Sequence, residues 1–150
     1  MAVQDAEPEV VVVGVDGSEA GERAAHFAGR HAREGGATLV VAYVVPWSQY
    51  AVQTIEDNER RPVTKERESR EAHATIVDPL VEALSADGVK AEGVVRHGHP
   101  AETLCDIAKE RGATHLLVGR IGQSRVRTLL FGSMPGNLIQ IATVPVTVVP

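Results

Sequence analysis

Near the carboxyl end of the chain, Gly119-Arg120-Ile121-Gly122 is followed by nine residues and then by Gly132-Ser133, a spacing that suits a strand end, a basic loop and a helix start. The apolar run Thr114-His115-Leu116-Leu117-Val118 reads as the strand. Gly119 after it lets the backbone turn and lets another group come close, where a side chain would block the approach. Gly132-Ser133 opens a segment reaching Leu138-Ile139-Gln140-Ile141 that can form a helix. Ser133 is its natural N-cap, with unpaired backbone N–H groups behind it that favour anions. Arg120, Arg125 and Arg127 lie between the glycines, and no Asp or Glu occurs from Gly119 to Pro150. Residues of these types at this spacing suit the holding of phosphate.

A second candidate group stands at Val15-Asp16-Gly17-Ser18. At the end of a strand the Asp16 carboxylate can accept hydrogen bonds from ribose hydroxyls or hold a metal that bridges phosphates; equally, Asp-Gly-Ser is a common helix entry and Asp16 can serve only to cap it. His97-Gly98-His99-Pro100 invites a metal reading, but His26, His31, His73 and His115 add no ligand spacing. Cys105 falls at helical spacing with Ala101 and Ala108 and reads as a packed thiol, with no catalytic base evident beside it.

The elements that must position these groups alternate. Val10 to Val15 is a β-branched strand of the kind covered on both faces, Ser18 to Arg33 has helical spacing, and Gly35-Gly36 ends that helix. Ala37 to Val45 is a second buried strand stopping at Pro46. Trp47 to Val63 loses periodicity, gathers charge and Pro62, and reads as an exposed loop. Thr64 to Ala86 reads as a long amphipathic helix that Pro79 should kink or split. Val89 to Arg96, Ala101 to Arg111 and Thr114 to Val118 continue the alternation to a last helix and the strand Val146-Thr147-Val148-Val149. The expected fold is α/β: one domain over 1–150, a doubly wound parallel sheet with helices on both faces. Ligands of such sheets bind beyond the strand C-termini, where the strand order reverses.

The glycine pattern resembles the universal stress protein family, whose nucleotide-binding members carry Gly, two residues, Gly, nine residues, then Gly-Ser or Gly-Thr. The valine strand ending in Asp16-Gly17-Ser18, Gly98 with Pro100, and the closing Val144-Pro145-Val146-Thr147-Val148-Val149 match in the same order, so the resemblance spans nearly the whole chain. It implies five strands in order 3-2-1-4-5, with strands one and four side by side. It also implies that Asp16 faces a nucleotide and that the backbone at Val44 touches adenine. Gly119, Gly122, Gly132 and Ser133 would meet phosphate and ribose, with Val118, Arg120, Ile121, Gln123, Ser124 and Met134 filling the same loop. Pro135 falls in the first turn of the last helix, where it supplies no N–H. Gly132-Ser133-Met134-Pro135-Gly136-Asn137 is similar to a family variant some of whose members bind cyclic AMP.

The functional expectation is therefore a protein that binds ATP or another adenine nucleotide such as cyclic AMP, with Mg²⁺ accompanying ATP, and that senses or stores the ligand in a stress response. The alternatives are a cyclic AMP-binding regulator and a slow ATPase or self-phosphorylating enzyme using Asp16 for metal and Ser124 or Ser133 as acceptor, although no activated nucleophile is evident. Val146-Thr147-Val148-Val149 would leave an apolar sheet edge that a second copy covers, so a homodimer is expected. The 150 residues carry 15 Lys plus Arg against 20 Asp plus Glu, a net charge of −5 that argues against nucleic acid and anionic membrane surfaces as partners. One cysteine, a polar start and no apolar run near the ~20 residues of a membrane span point to the cytoplasm.

Overall fold

The computed structural model describes residues 6–47, 55–120 and 133–150. Strands β1 (Val10–Val15), β2 (Thr38–Pro46), β3 (Lys90–Gly98), β4 (His115–Gly119) and β5 (Val146–Val149) form one parallel sheet in the order β3-β2-β1-β4-β5. Around it lie helices α1 (Glu19–Gly35), α2 (Ile55–Ala72), α3 (Asp78–Ala86), α4 (Pro100–Arg111) and α5 (Ser133–Ile141).

Strand alternation divides the core. Val11, Val13 and Val15 face Ala24, Ala25, Ala28 and Ala32 of α1, together with Val77 and Leu84. Val12, Val40, Val44 and Val118 face Leu104 and Ile107 of α4 and Leu138 of α5. Successive strand side chains point to opposite faces, so one valine-rich run supplies both layers. The alanines of α1 bring that helix close to the sheet. Its C-terminal end is built as the sequence suggests, Gly36, at φ 67°, donating its N–H to the carbonyls of Ala32 and Arg33, whereas the N-cap is Ser18 rather than the Asp16 weighed for that role: Ser18 Oγ accepts from Gly21 N at 3.1 Å.

Two elements differ from the sequence expectation. The segment read as loop up to Val63 is helical from Ile55 onward, with Pro62 inside the helix. Charge and proline suggested a loop, yet Glu, Arg and Lys are good helix formers, and a solvated helix has no need of an apolar stripe. The long helix expected over 64–86 is broken at a five-residue π-turn, His73–Val77, where Asp78 N–H donates to His73 O. Pro79, in the first turn of α3, lacks the N–H that an unbroken helix would direct to Thr75 O, and the turn of wider register absorbs the defect. The break expected at Pro79 thus falls just before it.

At the opposite end of the sheet from the strand outlets, His115 of β4 is half-buried, its Nε2 2.7 Å from Thr147 Oγ1 of β5 and its ring 6.0 Å from that of His31 on α1. Burial, reinforced by the charge of His31 and opposed by Glu9, holds the His115 pKa below the ordinary 6.5. The unfolded chain therefore takes up this proton at higher pH than the folded one. The stabilisation is complete above about pH 6.5 and is lost as pH falls from there through the depressed folded value. The urea midpoint should decline between pH 7.5 and pH 5.5, and His115→Gln should flatten that decline; equal slopes would contradict the assignment.

Candidate functional site

Strands β1 and β4 run side by side, with Val13 opposite Leu117 and Gly14 opposite Val118, so their outlets at Asp16 and Gly119 are neighbours. In chain order β2 lies on the far side of β1 from β4, which makes the β1–β4 boundary the place where the winding reverses. Of the sequence-predicted residues, those that are described lie toward this end of the sheet. Val44 and Val118 are buried in one apolar cluster, and Met134 from the first turn of α5 packs against it. Register sets Val15 opposite Tyr43, which brings Asp16 level with Val44. Ser133 begins α5, one residue further into the helix than the cap position expected, and Pro135 lies in the first turn. Ile121, Gly122, Gln123, Ser124 and Gly132 lie outside the described residues.

The structure gives Asp16 a definite local task. Its Oδ1 accepts from Ser18 N at 3.0 Å and from Ser18 Oγ at 2.5 Å, and Ser18 Oγ in turn accepts from Gly21 N. The carboxylate therefore buttresses the cap of α1, and the helix-entry role weighed from the sequence is present. A carboxylate oxygen has more than one acceptor site, so this bond is compatible with a further donor from a ligand.

Gly119 is required, for a reason the sequence did not reveal. It is the last residue of β4, and a Cβ placed on it would stand 2.7 Å from Ala20 C, 2.8 Å from Ala20 O and 2.9 Å from Gly21 N. The group that comes close is the first turn of α1. Arg120 beyond it is exposed, and its N–H donates to Val149 O at 2.7 Å. That amide extends the β4–β5 ladder, which leaves the guanidinium as the part of Arg120 suited to meeting an anion.

Electrostatically the outlet is two-sided. Chain from Gly119 onward carries no acid, whereas Asp16 and Glu68 stand on the β1–β2–α2 side. Burial first, then Asp16 and Glu68, push the Tyr43 phenol above its usual 10.0, which marks both carboxylates as close enough to act on it. Glu68 Oε2 lies 3.0 Å from His97 Nε2, and His99 packs its ring 5.7 Å from that of Trp47. His97, within β3, and His99, at the start of α4, thus each have a protein partner. Among the described residues no group of three or more His, Cys, Asp or Glu is arranged to hold a metal ion. Cys105 packs against the α4 side of the core; burial and then Asp106 raise its pKa, the direction opposite to thiolate activation. A cleft of about 570 Å³ opens between the start of α4 (His99 to Glu102) and α5, and Met134 is its link to the sequence-predicted residues.

A family model described as the universal stress protein family matches residues 8–150. The chain belongs to that family. It is 29% identical over 149 residues to the universal stress protein YxiE of Bacillus subtilis, covering 93% of this chain and 97% of that one. It is 32% identical over 155 residues to the universal stress protein Rv1636 of Mycobacterium tuberculosis, covering 94% and 95%. Against Rv1996 of the same organism it is 30% identical over 152 residues and spans only 47% of that longer relative. The fold agrees with universal stress protein UspA from Lactobacillus plantarum at TM-score 0.81, 21% identity and coverage of 97% of this chain and 100% of the other. A universal stress protein solved in complex with cAMP matches at TM-score 0.63 and 28% identity, over 96% of this chain and 98% of that one.

Within this universal stress protein fold, sequence reasoning missed Tyr43, Lys65 and Glu68 as neighbours of the strand outlets, and weighed His97 only as a metal candidate. Trp47 carried a signal, being the only tryptophan and three residues past Val44. Glu68 and Lys65 lie on α2, in a charged stretch whose individual residues cannot be ranked before the helix is placed against β2 and β3.

Proposed function

We propose that this universal stress protein binds an adenine nucleotide at the outlets of β1, β2 and β4 and acts by sensing or storing it. The observation that carries the reading is the junction of Asp16 and Gly119 at the reversal of strand order, acidic on the β1–β2 side and acid-free on the β4–α5 side. A nucleotide is polarised in the same sense: its ribose hydroxyls donate toward a carboxylate, and its phosphates seek cations and helix N-termini. Asp16 would take ribose hydroxyls, Val44 would line the base through its backbone, and Arg120 with Ser133 would face phosphate. The motif residues Val118, Ile121, Gly122, Gln123, Ser124, Gly132 and Met134 belong to the same proposal. Mg²⁺ needs only one or two carboxylates when phosphate oxygens complete its shell, so Asp16 fits a metal delivered with ATP.

Pro135 in the first turn of α5 withholds one N–H from that helix end, which favours a ligand with a single phosphate charge. A relative 28% identical to this chain has been solved with cAMP, which supports the same preference. Calorimetry with ATP, AMP and cyclic AMP tests both levels. Binding of cyclic AMP more tightly than ATP is expected; tight ATP with no detectable cyclic AMP would reject the preference, and silence for all three would reject nucleotide binding.

Edge strand β5 pairs with β4 on one side, its residues half-buried, and a second copy is the proposed cover for its other edge. Sedimentation velocity at micromolar concentration should show a dimer, and a monomer there would refute it. Among the described residues no helix is long and apolar enough to cross a membrane; cytoplasmic residence is part of the proposal.

A further inference from the structure

Just past the end of β2, Trp47 is 52% exposed, the only indole of the chain and, among the described residues, one of few large apolar side chains left in solvent. Its backbone is fixed, because Trp47 N donates to Gly98 O at 3.2 Å and so prolongs the β2–β3 pairing beyond Pro46. Its ring is fixed from two sides: the His99 ring packs at 5.7 Å and 69° to it, and Lys65 Nζ of α2 sits 5.9 Å from its centroid. A large aromatic surface held this firmly, yet left half open, is organised for a planar ligand, since the ordering entropy is already spent on neighbours from β3 and α2.

We propose that Trp47 is the stacking wall for the nucleobase and makes the site select purines over pyrimidines; this rests on the nucleotide reading above. Asp16 is level with Val44, and Trp47, just past the end of β2, stands three residues beyond Val44, about 10 Å at strand rise. A purine is joined directly to its ribose and its outer ring lies beyond the hydroxyls, so the length of the nucleoside together with that of the indole side chain spans this separation. With the ribose at Asp16 and the near edge of the base over the Val44 backbone, the outer ring of the base meets the indole. Base–aromatic stacking is strong and tolerates any π-face, but it grows with ring area, so the larger purine gains more than a pyrimidine. Lys65 over the indole holds the ring in place and adds positive charge on a side otherwise supplied with Asp16 and Glu68.

The test compares wild type, Trp47→Phe and Trp47→Ala by calorimetry with cyclic AMP, AMP, cytidine monophosphate and ribose 5-phosphate. Trp47 is half exposed and follows the strand rather than filling the core, and equal urea midpoints will verify that the variants fold. Expected are a loss of ten-fold or more in AMP and cyclic AMP affinity for Trp47→Ala, largely restored in Trp47→Phe. The advantage of AMP over cytidine monophosphate should shrink, and ribose 5-phosphate binding should not change. In wild type, the indole fluorescence should be quenched by AMP and unaffected by ribose 5-phosphate. Unaltered AMP affinity in Trp47→Ala, beside a wild type that binds, would overturn the wall and leave the nucleotide reading standing. A wild type that binds none of these ligands would overturn both.

Discussion

Gly119→Ala is expected to lower the stability of the folded chain by about 3 kcal/mol, at the upper end of the range for forcing one extra carbon into a packed site. The magnitude follows from what the carbon meets. The three nearest atoms, Ala20 C, Ala20 O and Gly21 N, all lie within 3 Å and are backbone of the first turn of α1, and no side-chain rotation relieves the contact. Either α1 or the end of β4 must move, and both are tied down: α1 by its buried alanines, β4 by ladders to β1 and β5. Gly35→Ala is the matched control, since nothing lies within 4 Å of its added carbon at the end of α1; it should be neutral or stabilising by up to about 1 kcal/mol. Urea titration of both variants decides the matter, and equal midpoints for Gly119→Ala and wild type would mean that β4 and α1 are not in this contact. A Gly119 variant that loses nucleotide is informative only where it is shown to be folded, because this glycine serves helix packing.

Gly119 shows how far the sequence could be read. The residues announced that something approaches the end of β4, because an apolar run closing in glycine has few other uses. They did not say what, because the partner, Ala20–Gly21, lies about a hundred residues earlier and meets it only through the sheet. The same division holds elsewhere. β1 and the end of α1 were legible because valine runs and Gly36 act locally, and the alternation of strands and helices dictated a parallel sheet. The order of its strands came from family resemblance. At residues 55–63 charge and Pro62 look the same in a loop and on a solvated helix; only docking of α2 beside β2 and β3, with Lys65 over Trp47 and Glu68 against His97, separates the two. Asp16 follows β1 at the strand end that the sequence indicates, and its partner is Ser18. Two roles for one carboxylate can be written from Asp-Gly-Ser, and geometry had to supply the hydrogen bonds.

Those two roles of Asp16 separate by mutation. Ser18→Ala removes the hydroxyl that receives Gly21 N–H and should cost about 1 kcal/mol, the usual worth of an N-cap. Asp16→Ala removes the acceptor of both the Ser18 N–H and its hydroxyl and should cost a similar amount, about 1–2 kcal/mol, since the cap persists but loses its support. Their consequences for ligand should diverge. A hydrogen bond to a charged acceptor contributes about 1.5–3 kcal/mol, so Asp16→Ala should weaken AMP or cyclic AMP binding by ten-fold or more. Ser18→Ala, with its carboxylate intact, should stay within about three-fold of wild type, a difference of less than 1 kcal/mol. Asp16→Asn keeps a side-chain oxygen where Oδ1 now accepts from Ser18 but loses the charge; it should hold stability near wild type while still losing affinity. Calorimetry and urea titration on the same preparations give both numbers. If affinity tracks stability across all three variants, Asp16 is a cap and nothing more. If Asp16→Asn folds like wild type and binds poorly, the carboxylate's charge serves the ligand, and the helix entry of α1 is the scaffold that aims it.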